Sequence, residues 1–277
     1  MKITDGVFGI LGAVIIAIGL SSCSNSGTSG LSVEKDSHIV LIGNNLASRM
    51  MHFGHFETEM QLRYPNHQLF IRNMADPGNT PGFRPHSSRN SPWAFPGAER
   101  FQDELANDSG SEGHYPTPDE WLTNLEADII LAFFGYNEAF SGEAGLENFR
   151  AELDAFIDHT LNQNYNGDSS QTAQLAIVSP IAFENLSDQY DLPDGTQENA
   201  NLAMYTQAMQ EVAAENGVHF VDVFQPTQQW FDEADAALTI DGFQLTDNGY
   251  RQFADLLADK AFGEKETAAE EHRALVH

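Results

Sequence analysis

A single cysteine in 277 residues rules out a disulfide within the chain. Basic residues are also scarce: 13 Lys and Arg stand against 41 Asp and Glu, for a formal charge of −28. A surface of that sign repels phosphate backbones and anionic headgroups, so nucleic acid is excluded as a partner and an anionic lipid surface is a poor one. The acidity is spread along the chain without a long acidic run. It reads as a solubility adaptation, for instance to a saline habitat, ahead of an acidic binding face. There is no HExxH, no Walker loop and no Gly-x-Gly-x-x-Gly, so metalloprotease, nucleotidase and dinucleotide-binding classes have no support. No metal and no cofactor are expected. There is no internal repeat and no boundary that would set off a second domain.

The one long apolar run, Val7 to Leu20, has the length of a signal peptide and is short for a membrane-spanning helix. It ends in Leu20-Ser21-Ser22-Cys23, which resembles a bacterial lipobox, with Cys23 as the lipidation site. The alternatives are an ordinary signal peptide or an uncleaved anchor. The lipobox resemblance implies a lipoprotein-type signal over residues 1–22 and a cell-envelope location in a bacterium, on the outer membrane or its periplasmic face. Residues 23–35, rich in Ser, Gly and Asn, form a flexible tether. The folded domain spans 36–262, and 263–277 form an acidic tail.

Within the domain, short apolar runs alternate with helical stripes. Strands are predicted at His38–Ile42, Gln68–Asn73, Asp128–Phe134, Leu175–Val178 and Val218–Val223. Helices are predicted at Leu46–Leu62, Leu146–Leu161 and Asn199–Asn216, with a closing helix capped by Thr246. This alternation predicts a three-layer α/β/α domain around a parallel sheet of about five strands, with ligands bound at the carboxyl edge. One stretch departs from it: Met74 to Pro116, dense in Pro, Gly, Asn, Ser and His. Its aromatic residues Trp93 and Phe95 mark it as an ordered excursion over that edge rather than disorder.

Four segments lie where such a sheet places its site. Gly43-Asn44-Asn45-Leu46 follows the first strand, and Asp76-Pro77-Gly78-Asn79 the second. Gly135-Tyr136-Asn137-Glu138 follows the third, and Asp241-Gly242-Phe243-Gln244 precedes the closing helix. In this order they resemble the signature blocks of the SGNH/GDSL hydrolases, whose sheet is flavodoxin-like, from about Ser37 to Phe262. The resemblance implies an ester hydrolase site in which Asn45 stands at the nucleophilic serine and Gln244 at the general-base histidine, with Asp241 as the retained acid. It implies Gly78 and Asn137 as oxyanion donors, with Asn44 and Glu138 beside them as ligand-binding positions. An amide is neither a useful nucleophile nor a proton acceptor near neutral pH, so the frame is kept while both reactive groups are lost. Each position also has a structural reading: Asn45 as a helix N-cap, Gly78 as a Pro-Gly turn, Asn137 as a turn residue.

Other groups are candidates to take over the chemistry. Glu138 is a second carboxylate at the site. His86 and His114 lie in the excursion, from which either could activate a water held by Asp241. His52 and His55, three residues apart on the predicted first helix, could share a face and hold a metal, or form a half-solvated pair. Two functional classes follow. One is a lipid-anchored, catalytically impaired relative binding a carbohydrate or ester ligand in the former cleft, with Trp93, Phe95 or Tyr136 as flat surface. The other is an acyl or acetyl esterase with a serine-independent mechanism. A purely structural surface lipoprotein is a third.

Overall fold

The computed structural model describes residues 30–84, 92–105, 116–167 and 172–264. The elements run β1 His38–Gly43, α1 Asn45–Met50, α2 His55–Arg63, β2 Phe70–Asn73, α3 Pro118–Asn124, β3 Ile129–Phe133, α4 Tyr136–Ala139, α5 Gly142–Leu161, β4 Gln174–Val178, α6 Thr196–Asn216, β5 His219–Val221, α7 Phe224–Glu233 and α8 Asp247–Phe262. A 3-10 turn, Ala98–Phe101, lies between β2 and α3.

The five strands are all parallel, in the order β2-β1-β3-β4-β5. Their side chains divide by parity, as a pleated strand requires. Ile39, Leu41, Ile129, Leu131, Phe133 and Val178 pack under α1, α2 and α8. Val40, Ile42, Ile130, Ala132, Leu175 and Ile177 pack under α5 and α6. Both faces are dry, which explains why β3 is wholly apolar and fully buried. The three-layer architecture expected from the alternation is the one observed.

Register fixes the site. Gly43 pairs with Phe133, Phe133 with Val178 and Val178 with Val221, so the strands end level and their exit loops share one edge. Gly43 is required there: its φ is +112°, and a Cβ on it would stand 2.1 Å from the Phe133 carbonyl oxygen.

Several expectations change. The first predicted helix is two, broken where Gly54 adopts a left-handed conformation (φ 65°) and starts α2 in a new direction. His52 and His55 are thereby separated. His55 pairs through Nε2 with Asp247 Oδ1 at 2.9 Å and stacks on Phe53, which accounts for it without a metal. Among the described residues no cluster of three or more His, Cys, Asp or Glu could hold a metal ion. The domain also starts before residue 36. Leu31 is core, its N–H donates to the Ala261 carbonyl, and the Ser32 N–H donates to Gln174. The end of the expected tether is therefore docked. The excursion is ordered where it is described. It is pinned along α5, with Phe95 against His159 and the Asn148 amide donating to the Phe101 carbonyl. Cys23, the apolar run before it, His86, His114 and the tail beyond Glu264 lie outside the described residues. Among the described residues no helix is long and apolar enough to cross a membrane.

Candidate active site

The register brings Asn45, Gly78, Asn137, Asp241 and Gln244 to the carboxyl edge of the sheet. Asn44 is buried, takes its N–H to the Phe133 carbonyl, and accepts the Leu46 N–H on its side chain at 3.2 Å. Asn44 is therefore the N-cap, which corrects the expectation that Asn45 caps the helix. Asn45 is the first residue of α1. It is half-buried, and its amide makes no hydrogen bond to a described residue.

The Asp241–Gln244 segment is a small self-supporting turn. Asp241 Oδ1 accepts the N–H groups of Phe243 (3.1 Å) and Gln244 (2.7 Å), and Oδ2 accepts Gln244 Nε2 at 2.7 Å. A carboxylate only accepts, so the Gln244 amide must turn its nitrogen to Asp241 and its Oε1 away from it. The Gln244 amide is thereby held beside Asp241, and the oxygen it presents takes no proton near neutral pH.

Behind this turn stands Glu184, a residue no sequence pattern marked. Its buried carboxylate accepts the N–H of Leu238 (3.0 Å) and both the N–H and hydroxyl of Thr239 (2.6 Å each), while its own N–H donates to the Gly242 carbonyl. A lone glutamate in a polar loop has no periodicity to reveal it. The Gly242 N–H in turn donates to the Thr239 hydroxyl, and Gly242 adopts φ 88° with no room for a Cβ against the Phe183 ring.

Gly78 lies exposed in the turn closed by Asn79 N–H to the Asp76 carbonyl. Asn137 Nδ2 donates to the Pro77 carbonyl at 3.0 Å and the Asn79 carbonyl at 2.9 Å. These two contacts staple this turn to α4. The Asn79 side chain is fully buried, and neither its Oδ1 nor its Nδ2 has a partner.

Glu138 is tied back to the start of its own helix. Its Oε2 accepts the Gly135 N–H at 2.8 Å, and its Oε1 is out of solvent without a partner, although the residue as a whole is half-exposed. Burial, and secondly the charge of Glu152 on α5, push its pKa up to about 8. Glu152 is itself raised by burial, while hydrogen bonds from Gln102, Thr80 and the Gly82 N–H oppose the rise. Tyr136 ties the third and fourth segments together: its ring lies on that of Phe243, with centroids 3.3 Å apart and planes 9° from parallel. Burial, then the charges of Asp241 and Glu198, lift the Tyr136 phenol to about 12. Trp93 packs on Phe83 and Phe95 on Phe101, both within the excursion.

Comparison with known proteins agrees with this geometry. The fold matches a protein of Parabacteroides merdae ATCC 43184 assigned as a GDSL-like lipase, with 14% identity, 84% of this chain and 99% of that one covered, and a TM-score of 0.59. It matches LAE5, an alpha/beta hydrolase enzyme from the metagenome of Lake Arreo in Spain, with 14% identity, 84% and 98% coverage, and a TM-score of 0.56. It also matches a variant of Axe2, an acetyl-xylooligosaccharide esterase from Geobacillus stearothermophilus, with 13% identity, 83% and 96% coverage, and a TM-score of 0.55. No curated protein sequence matches the chain. The sequence profile of the GDSL-like lipase/acylhydrolase family matches residues 80–252, from just after the Gly78 turn into the closing helix. With that match over more than half its length, on the sheet described above, the chain belongs to the GDSL-like lipase/acylhydrolase family.

Proposed function

We propose that this is a catalytically impaired member of the family that binds a polar ligand, a carbohydrate or an ester, in the former active-site cleft. The observation that carries it is the 2.7 Å hydrogen bond from Gln244 Nε2 to Asp241. A histidine held this way keeps a lone pair for the nucleophile's proton, whereas the glutamine offers only an acceptor oxygen. Asn45 supplies no nucleophile beside it, and Asn137 has no amide hydrogen left for an oxyanion. What remains is a hydrogen-bonding surface of Asn45 and Gln244, which suits hydroxyl and amide groups. A carbohydrate ligand is further supported by the fold-level likeness to an esterase of acetyl-xylooligosaccharides.

The test uses protein starting at Ser24, assayed on short acyl esters and acetylated xylooligosaccharides and titrated with unmodified oligosaccharides. Binding without turnover is expected. Turnover that disappears in Asp241→Asn would establish the second reading, a serine-independent ester hydrolase, which family membership supports. An Asn45→Ser/Gln244→His variant that gains turnover over the parent would show that only the two reactive groups have been lost.

We also propose attachment to a bacterial envelope membrane through lipid on Cys23, supported by the apolar run Val7–Leu20 and the Leu20-Ser21-Ser22-Cys23 sequence. Expression of Cys23→Ser alongside the parent in a bacterial host tests it: the parent should take up labelled fatty acid and the variant should not.

A further inference from the structure

Tyr136, which stacks on Phe243, also walls a pocket of about 220 Å³ together with Phe140, Phe183, Pro193, Glu198 and Leu202. Its chemistry differs from that of the cleft. Tyr136 and Phe140 meet edge to face, centroids 5.2 Å apart and planes 83° from each other, so two aromatic walls form a corner. Phe140 is 73% exposed, an unusual position for a phenylalanine.

The third ring is fixed. The Phe183 backbone is clamped by Asn199, whose Oδ1 accepts its N–H and whose Nδ2 donates to its carbonyl. Its ring fills the space that a Cβ would need at Gly195 (φ 82°) and at Gly242 (φ 88°), so glycine at both places is what lets the wall stand there.

Glu198 is the one charged residue lining the pocket. Of the two amides beside it, Gln197 donates to Asn201 at 3.0 Å, so these satisfy each other. Glu198 is half-buried in the first turn of α6, where the helix favours a carboxylate, and it makes no hydrogen bond or ion pair to a described residue. No basic side chain of its own region neutralises it: residues 151–250 contain no Lys or Arg, His159 is paired with Asp119, and His219 with the Lys260 carbonyl. Arg150 is held by Glu211 and Glu215, toward the other end of α6. Asp241, which adds to burial, with Glu198, in raising the Tyr136 phenol, is also negative.

We propose that this pocket binds an alkylated ammonium group on a small ligand, with the rings of Tyr136, Phe140 and Phe183 as the box and Glu198 as the counter-charge. A cation is attracted to aromatic faces in a partly dry pocket, and one with an alkyl surface also fills apolar walls. The carboxylate and the net charge of −28 exclude an anionic occupant and concentrate cations at the mouth. The assignment does not depend on whether the cleft turns over esters.

Calorimetric titration of the unaltered protein with choline, and with dimethylbutanol as its uncharged carbon isostere, tests it. Choline should bind in the millimolar range or tighter, and the isostere at least about fivefold more weakly, since shape is matched and only the cation is lost. Glu198→Gln should weaken choline by about fivefold and leave the isostere unchanged, while Phe140→Ala should weaken both. Both substitutions are at solvent-accessible side chains, and a thermal melt beside each titration checks that the fold is intact. No choline binding at millimolar concentration, equal binding of the isostere, or unchanged choline affinity in Glu198→Gln would each overturn the assignment.

Discussion

The Tyr136 ring lies flat on Phe243, so the segment after β3 and the segment before α8 are held together by an aromatic stack rather than by a hydrogen bond. Phe243 is buried and joins the core on the α8 side of the sheet, whereas the neighbouring Phe140 is largely exposed. Phe243→Ala should therefore cost about 3–5 kcal/mol in a urea unfolding curve. Phe140→Ala should stay within about 0.5 kcal/mol of the parent. Equal costs at the two sites would mean that the stack does not organise this edge.

Asn137 makes a different prediction from the one its position in the family implies. If its amide staples the Pro77–Asn79 turn, Asn137→Ala leaves two carbonyls without that donor and lowers stability by about 1–3 kcal/mol. Amide exchange should rise first at the turn closed by the Asn79 N–H. A variant with unaltered stability would return Asn137 to the role of a free donor.

Glu184 positions Asp241 and Gln244 without facing the cleft. Glu184→Ala strands the N–H groups of Leu238 and Thr239 and should cost about 3 kcal/mol or more. Glu184→Gln retains one acceptor oxygen and should recover part of that loss. In an Asn45→Ser/Gln244→His background, Glu184→Ala should lower any ester turnover, because Thr239, whose hydroxyl accepts the Gly242 N–H, loses its own acceptor on Glu184.

Glu138 gives the protein a pH dependence of defined sign. Its folded pKa, about 8, lies above the ordinary carboxylate value of 4.5, so the folded state holds a proton that the unfolded chain releases. Its contribution to stability is complete below the unfolded value and is lost as pH rises through about 8. Glu138→Gln, fixed in the neutral form, should flatten this decline in urea unfolding followed from pH 5 to pH 8. A parent curve that rises over that interval while the variant's stays level would refute it.

Much of the fold was legible because a parallel sheet buried on both faces writes itself as short apolar runs. Each predicted strand overlaps an observed one, and Thr246 caps α8 by accepting the Gly249 N–H as its sequence suggests. The failures have local causes. Phe53 continues the apolar stripe of Leu46 and Met50 past the end of α1, which hides the left-handed Gly54. Helix α7 hid behind its glutamines, though Asp222, which accepts the Phe224 and Gln225 N–H groups, was an available start signal. Helix α3 carries a full Thr117–Glu120 capping box with Pro118 at its first position, overlooked at the end of a long irregular stretch. At the site, position was readable and partnership was not. The resemblance brought Asn137 and Asp241 to the right edge, but which acceptors a side-chain amide chooses depends on where the Pro77 and Asn79 carbonyls point, and spacing carries no record of that.

The docking of Leu31 on Ala261 fixes the side on which the chain enters the fold. Ser32 meets Gln174 at the start of β4, and His219 at the start of β5 reaches the end of α8, so the incoming chain arrives at the amino edge of the sheet. Asn45 and Gln244 stand at the opposite edge, roughly 20 Å away along strands of this length. A ligand reaching Asn45 and Gln244 therefore approaches from the face opposite the one where the chain enters the fold, and residues 30–32 do not stand in its path.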